Sequence, residues 1–93
     1  MAEVDVRASA PGEYEVVIRE GSSSTTHTVS LTSETRDQLG VSDVDGARLV
    51  EESFRFLLER ESKESILARF ELTVIARYFP QYPEEIRRRL KSS

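Results

Sequence analysis

The chain has 93 residues, with 13 basic and 17 acidic side chains and a formal net charge of −4. It has no cysteine, which excludes disulfides, thiolate metal sites and cysteine nucleophiles. Charged residues interrupt every apolar stretch well before about 18 residues, so we expect no membrane span. The first residues do not combine a basic region with a following apolar region, so we expect no secretory signal. The composition therefore predicts a soluble, cytoplasmic protein with a single domain over residues 1–93.

The two halves of the chain differ in charge and in periodicity. Residues 1–46 carry a net charge of −6, and residues 47–93 carry +2. Apolar residues recur at every second position in the first half and at every third or fourth position in the second. This change near Gly46 predicts a β-rich segment over residues 3–31 and a helical segment over residues 33–91.

The first half predicts three strands joined by tight turns. Apolar and polar residues alternate over 4–7, 14–19 and 25–31, and turn-forming residues separate these runs at 11–12 and 21–24. Short connections favour antiparallel neighbours. The pattern therefore predicts a three-stranded antiparallel β-meander with one buried face and one solvated face.

The second half predicts helices. A short helix over 33–39 fits between Thr32 or Ser33 as its N-cap and Gly40 as its C-cap. The longest helix follows over about 47–62, with Asp45 as a cap. Further helices are expected over 62–69, over 74–79 and from Pro83 to Lys91. We therefore expect an α+β fold in which the meander packs against a C-terminal group of three to four helices.

The closest metal-binding pattern is an incomplete calcium loop. Asp43, Asp45, Gly46 and Glu52 match its third, fifth, sixth and twelfth positions. The first position, which anchors the ion, is Val41 and offers no side-chain ligand. A turn followed by a helix cap explains the same residues, so we expect no metal and no other cofactor.

The single histidine is the main candidate for catalysis. His27 lies in the middle of a predicted strand, and Glu13 or Glu15 of the neighbouring strand is its nearest candidate partner. No serine has the context of a nucleophile elbow, and there is no phosphate-binding loop. We therefore expect a structural histidine and no enzyme activity, with a hydrolase or transferase as the minor alternative.

The basic C-terminal run is the candidate for nucleic-acid binding. Arg87, Arg88 and Arg89 follow one another and could contact phosphates. Glu84 and Glu85 partly neutralise them, and the whole chain is acidic. A solvated helix face is the favoured interpretation, and an antitoxin-like regulator that binds nucleic acid is the alternative.

A helix–turn–helix is a second nucleic-acid hypothesis. Residues 64–69 and 73–79 have the length and spacing of two helices with a tight link. The second begins with mostly apolar residues, where a recognition helix needs exposed polar ones. A compact helical cap on the core is therefore favoured.

The aromatic segment from Arg77 to Pro83 has two interpretations. It is either a partner-binding corner or a bend that closes the core, with Phe79 buried and the tyrosine hydroxyls at the surface. The candidate interaction surface combines this segment with the basic run, as Arg77, Tyr78, Tyr82, Arg87, Arg88 and Arg89.

The long predicted helix carries a second apolar stripe. Leu49 and Phe56 are seven positions apart and fall opposite its main stripe. Either the later helices wrap around this stripe, or it forms the face of a homodimer. The sequence as a whole favours a small protein–protein interaction or regulatory module with a protein partner, and it gives no indication of a membrane partner.

Overall fold

The computed structural model describes residues 2–91. Strands β1 to β3 come first, as Glu3–Ala10, Glu13–Glu20 and Ser23–Ser30. Helices α1 and α2 follow, as Ser33–Leu39 and Gly46–Leu58. A 3₁₀ turn at Lys63–Ser65 leads to strand β4, Arg69–Glu71. The last two helices are α3, Val74–Tyr78, and α4, Tyr82–Lys91.

The sheet contains the predicted meander and one strand more. Its order is β1-β2-β3-β4, with β1 to β3 antiparallel and β4 parallel to β3. Both hairpins turn through a glycine with positive φ, Gly12 at 73° and Gly21 at 62°, a conformation that costs glycine little. Val16, Ile18 and Val29 face the core and are fully buried. The α+β class and the meander are therefore confirmed.

The helix expected over 62–69 is wrong. Beyond the 3₁₀ turn the chain is not helical: Ile66 is extended, with φ −76° and ψ 135°, and bends at Ile66 and Ala68 lead into β4. Tertiary hydrogen bonds hold this segment against β3. His27 Nδ1 lies 2.8 Å from the Leu67 carbonyl oxygen, and the Thr28 amide donates to the Ala68 carbonyl over 2.8 Å. The helix–turn–helix hypothesis thereby loses its first helix.

Helix α1 forms with the predicted limits. The Thr32 hydroxyl accepts a hydrogen bond from the Thr35 amide at 3.1 Å, and Gly40 ends the helix with φ 73°. Helix α2 is capped by Asp45, whose carboxylate accepts from the Ala47 amide at 3.3 Å. It ends at Leu58 and is shorter than the sequence predicts.

Helix α2 lies at the centre of the core, between the sheet and α4. Leu49 and Phe56, the candidate dimer face, are both fully buried. The rings of Phe56 and Tyr82 have centroids 5.3 Å apart, so α4 of the same chain covers this second stripe. None of the helices within residues 2–91 has the length and apolar character needed to cross a membrane.

Candidate functional site: an apolar groove beside β4

The three consecutive arginines of α4 make different contacts. Arg87 donates to the last carbonyl of α1 at 3.1 Å. Arg89 donates to both carboxylate oxygens of Glu59, at 2.7 and 2.8 Å. Arg88 is exposed and pairs with Glu85 one turn away. Two of the three side chains therefore hold α4 against the rest of the chain, and the run does not present one continuous basic surface.

Arg89 belongs to a cluster that joins α4 to the end of α2. The Arg60 guanidinium lies 3.8 Å from the centre of the Phe56 ring, and that of Arg89 lies 5.7 Å away. Such stacking of a cation on an aromatic face is favourable. The hydrogen bond from Arg89 lowers the pKa of Glu59. These contacts assign Arg89 a structural role.

Tyr82 lies in the core. Its side chain is fully buried, and its hydroxyl is 2.6 Å from the Ser53 hydroxyl. Ser53 donates to the Leu49 carbonyl at 2.7 Å, so the Tyr82 hydroxyl is the donor of the pair. Burial raises the pKa of Tyr82. Of the two tyrosines in the candidate interaction surface, the fold leaves only Tyr78 at the surface.

His27 is buried with both ring nitrogens engaged. A carbonyl can only accept, so Nδ1 donates to Leu67, and Nε2 accepts from the Thr25 hydroxyl at 2.9 Å. Glu15 forms an ion pair with Arg7 of β1, and Glu13 forms one with Arg69 of β4 instead. Among residues 2–91, neither ring nitrogen therefore bonds an acidic side chain, and the ring attaches the segment before β4 to β3.

The residues of the incomplete calcium loop serve the start of α2. Asp45 caps that helix, and Glu52 lies within it. Among residues 2–91, no group of three or more histidine or carboxylate side chains is arranged to hold a metal ion.

An apolar groove of about 370 Å³ opens between the end of α2, the segment before β4, and α3. Its floor consists of buried apolar side chains, from Leu57, Ile66, Phe70 and Ile75. Its rim includes Leu67, which is 49% exposed, and Tyr78, which is 68% exposed. Within residues 2–91 these are the large hydrophobic side chains that the fold leaves exposed, and both border this groove.

Local structure explains why the rim residues point outward. Successive residues of an extended chain face opposite sides, so Ile66 enters the core and Leu67 does not. In α3, Val74, Ile75 and Tyr78 share the side that faces the groove. The helix ends at Tyr78, and this leaves the tyrosine ring at the groove's edge.

One charged side chain lines the groove in the described part of the chain. Glu61 is half-buried and comes just after α2. No ion pair joins it to any residue between 2 and 91, whereas Glu59 binds Arg89 and Glu64 binds Lys63. Arg77 of α3 is exposed and does not line the groove. The groove is therefore apolar with a single negative group at its wall.

The sequence predicts part of this site. Arg77 and Tyr78 belong to the candidate interaction surface, and Tyr78 lies at the groove. The sequence does not indicate Leu67 or Glu61: it predicts a helix over 62–69, where the chain is not helical, and it extends the long helix to 62, whereas α2 ends at Leu58. The adjacent pair Ile66-Leu67 carried a signal, since two neighbouring apolar residues cannot both enter the core from an extended backbone.

Comparison with known proteins gives no match: no family model, no curated protein and no solved structure is similar to this chain.

Proposed function

We propose that this protein is a small, non-enzymatic binding module of the cytoplasm whose groove receives apolar side chains of a partner protein. The observation that carries the proposal is the position of Leu67 and Tyr78. A single exposed apolar residue is ordinary for a monomer, but two at the rim of one apolar groove form a contiguous patch. Such patches are typical of protein interaction sites.

The exposed apolar area of Leu67 and Tyr78 is large enough for a moderate contribution to affinity. Covering the exposed parts of Leu67 and Tyr78 removes on the order of 200 Å² from water, about 5 kcal/mol at 25 cal/mol/Å². Part of this offsets the entropy lost on association. Tyrosine is also among the residues that most often dominate interface energetics. The groove thus fits an anchoring pocket within a larger contact.

Contacts within the chain weigh against the alternative, a nucleic-acid-binding regulator that uses α4. Arg87 and Arg89 already bind a helix end and Glu59, and Arg88 pairs with Glu85. Phosphate recognition draws on several unengaged cations together. The protein partner is therefore the better supported of the two.

Affinity capture from a lysate of the protein's own cells, with matched variants as baits, tests the proposal. The bait proteins are the wild type, a double variant Leu67→Ser/Tyr78→Ser, and the control Arg88→Ser, each used with and without nuclease. We expect a protein retained by the wild type and the control, lost from the double variant, and unaffected by nuclease. That protein, once purified, should bind the double variant at least about tenfold more weakly than the wild type.

Two results would contradict the proposal. One is capture that is the same for the double variant and the wild type. The other is capture that disappears with nuclease and with Arg88→Ser, which would favour the nucleic-acid function. Circular dichroism of each bait ensures that lost capture does not reflect unfolding, and exposed positions such as these are expected to tolerate serine.

A further inference from the structure

We infer that the partner segment bound in the groove carries a lysine or arginine beside its apolar anchor, held by the Glu61 carboxylate and the Tyr78 ring. This inference rests on the proposed function, because it names the chemistry of what the groove binds. It commits to a basic, apolar segment of another protein chain.

Covering Glu61 with a partner has an electrostatic cost. Glu61 lines the groove, and none of the ion pairs within residues 2–91 involves it. A partner that seals the groove removes water from this charge. Burying an ionised carboxylate without compensation is expensive and can exceed what the apolar contact contributes. A favourable partner must therefore bring a positively charged group to the same place.

The exposed Tyr78 ring offers a second contact for a basic side chain. Its side chain is 68% exposed and borders the groove that Glu61 also lines. An aromatic face attracts a cation, and arginine stacks on it especially well. The methylene stem of arginine or lysine suits an apolar wall while its charged end reaches a carboxylate. One basic side chain can thus use both features of the groove.

The charge of the whole molecule acts in the same direction. The net charge of −4 favours the approach of a basic segment. The same field, with Glu61 at the groove wall, disfavours a nucleic-acid backbone or an anionic lipid surface as the occupant. A second copy of the chain is the remaining competitor, since it could supply the exposed Arg77 of α3. A second copy carries the same net charge of −4 and is repelled by it, so we favour a separate protein, and self-association is an outcome that the test detects.

Selection from a random peptide library is the decisive experiment. A displayed library of random 12-residue peptides is selected on the wild-type protein after depletion on Leu67→Ser/Tyr78→Ser. Fluorescence anisotropy then gives the Kd of individual peptides for the wild type, Glu61→Gln and Glu84→Gln. Glu84→Gln is the matched control, because it makes the same charge change on α4, away from the groove.

The expected result is enrichment of peptides that combine a large apolar residue with arginine or lysine. Their Kd should rise about 5- to 10-fold with Glu61→Gln and stay unchanged with Glu84→Gln. Groove-dependent peptides without a basic residue, or equal affinity for Glu61→Gln, would overturn the inference and leave the proposed function standing. The absence of any groove-dependent peptide would overturn the inference and count against the proposed function.

Sedimentation equilibrium of the wild type and the double variant completes the test. A wild-type monomer is expected at the concentrations used for peptide binding. A dimer that Leu67→Ser/Tyr78→Ser dissociates would identify a second copy as the occupant and overturn the inference.

Discussion

The buried hydroxyl pair between α4 and α2 gives a sharp quantitative prediction. Tyr82 donates to Ser53 over 2.6 Å, and Ser53 donates to the Leu49 carbonyl over 2.7 Å. Both side chains are fully buried. The two partners are not equivalent, because Ser53 keeps an acceptor for its own proton when Tyr82 is changed, whereas the Tyr82 hydroxyl loses its acceptor when Ser53 is changed.

The magnitudes follow from this asymmetry. Tyr82→Phe removes one hydrogen bond and should lower the free energy of unfolding by about 1 kcal/mol. Ser53→Ala leaves a buried hydroxyl without a partner and should cost about 2–3 kcal/mol. The double variant removes both hydroxyls and should cost less than the two single losses combined. The coupling energy should therefore be about 1–2 kcal/mol.

Urea unfolding followed by far-ultraviolet circular dichroism measures these changes, and it suits a chain without tryptophan. The slope of the free energy against urea should be the same in all four proteins, so that differences in midpoint report stability. A smaller cost for Ser53→Ala than for Tyr82→Phe would refute the reasoning. So would single losses that add to within about 0.5 kcal/mol, because the hydroxyls would then act independently.

Three further predictions concern pH, crowding and charge. Because burial raises the pKa of Tyr82, the stabilisation that this tyrosine contributes is complete below pH ~10, the pKa of unfolded tyrosine, and decreases above that pH. Urea titrations at a series of pH values should therefore show a smaller loss of stability at high pH for Tyr82→Phe than for the wild type. A Cβ at Gly46 would overlap the Tyr14 hydroxyl and the Arg36 guanidinium, so Gly46→Ala should cost about 1–3 kcal/mol in thermal or urea unfolding, less in a Tyr14→Phe/Arg36→Ala background; an equal cost in both would exclude these clashes. Arg89 donates from Nη2 to Glu59 and from Nε to Glu85, a fork that a single lysine nitrogen cannot reproduce, so Arg89→Lys should cost about 0.5–1 kcal/mol; an unchanged unfolding midpoint would contradict that role.

Local signals made the meander and α1 predictable. Alternation over three consecutive runs and short turns fix antiparallel neighbours without any long-range information. Helix α1 has a cap at each end in the sequence itself, Thr32 and Gly40, and both act as expected. In these segments the backbone preferences and the burial pattern agree.

Strand β4 was not predictable in the same way. It has three residues, of which only Phe70 is buried, so it has no periodicity of its own. The spacing of Ile66, Leu67 and Phe70 also fits one side of a helix. The outcome is decided by hydrogen bonds from His27 and Thr28, which are distant in sequence. The rim position of Leu67 depends on the same contacts.

Three residues that the sequence offers for an interface are buried in the core. Tyr82, Leu49 and Phe56 have the character of interface residues, but apolar and aromatic side chains serve cores and interfaces alike. Only the path of α4 decides between the two, because it brings the Tyr82 ring against Phe56. The local sequence pattern does not determine that path.

The contacts between β4 and β3 also affect when the groove forms during folding. His27 and Leu67 are 40 residues apart, whereas the hairpins of the meander close locally. Contacts between distant residues form slowly, because a long loop must close first. A local opening that releases β4 removes one wall of the groove and leaves the hairpins paired. A partner bound in the groove, as proposed, would slow hydrogen exchange in β4 and at the end of β3 by stabilising their pairing, so the proposed binding site coincides with a contact between distant segments of the chain.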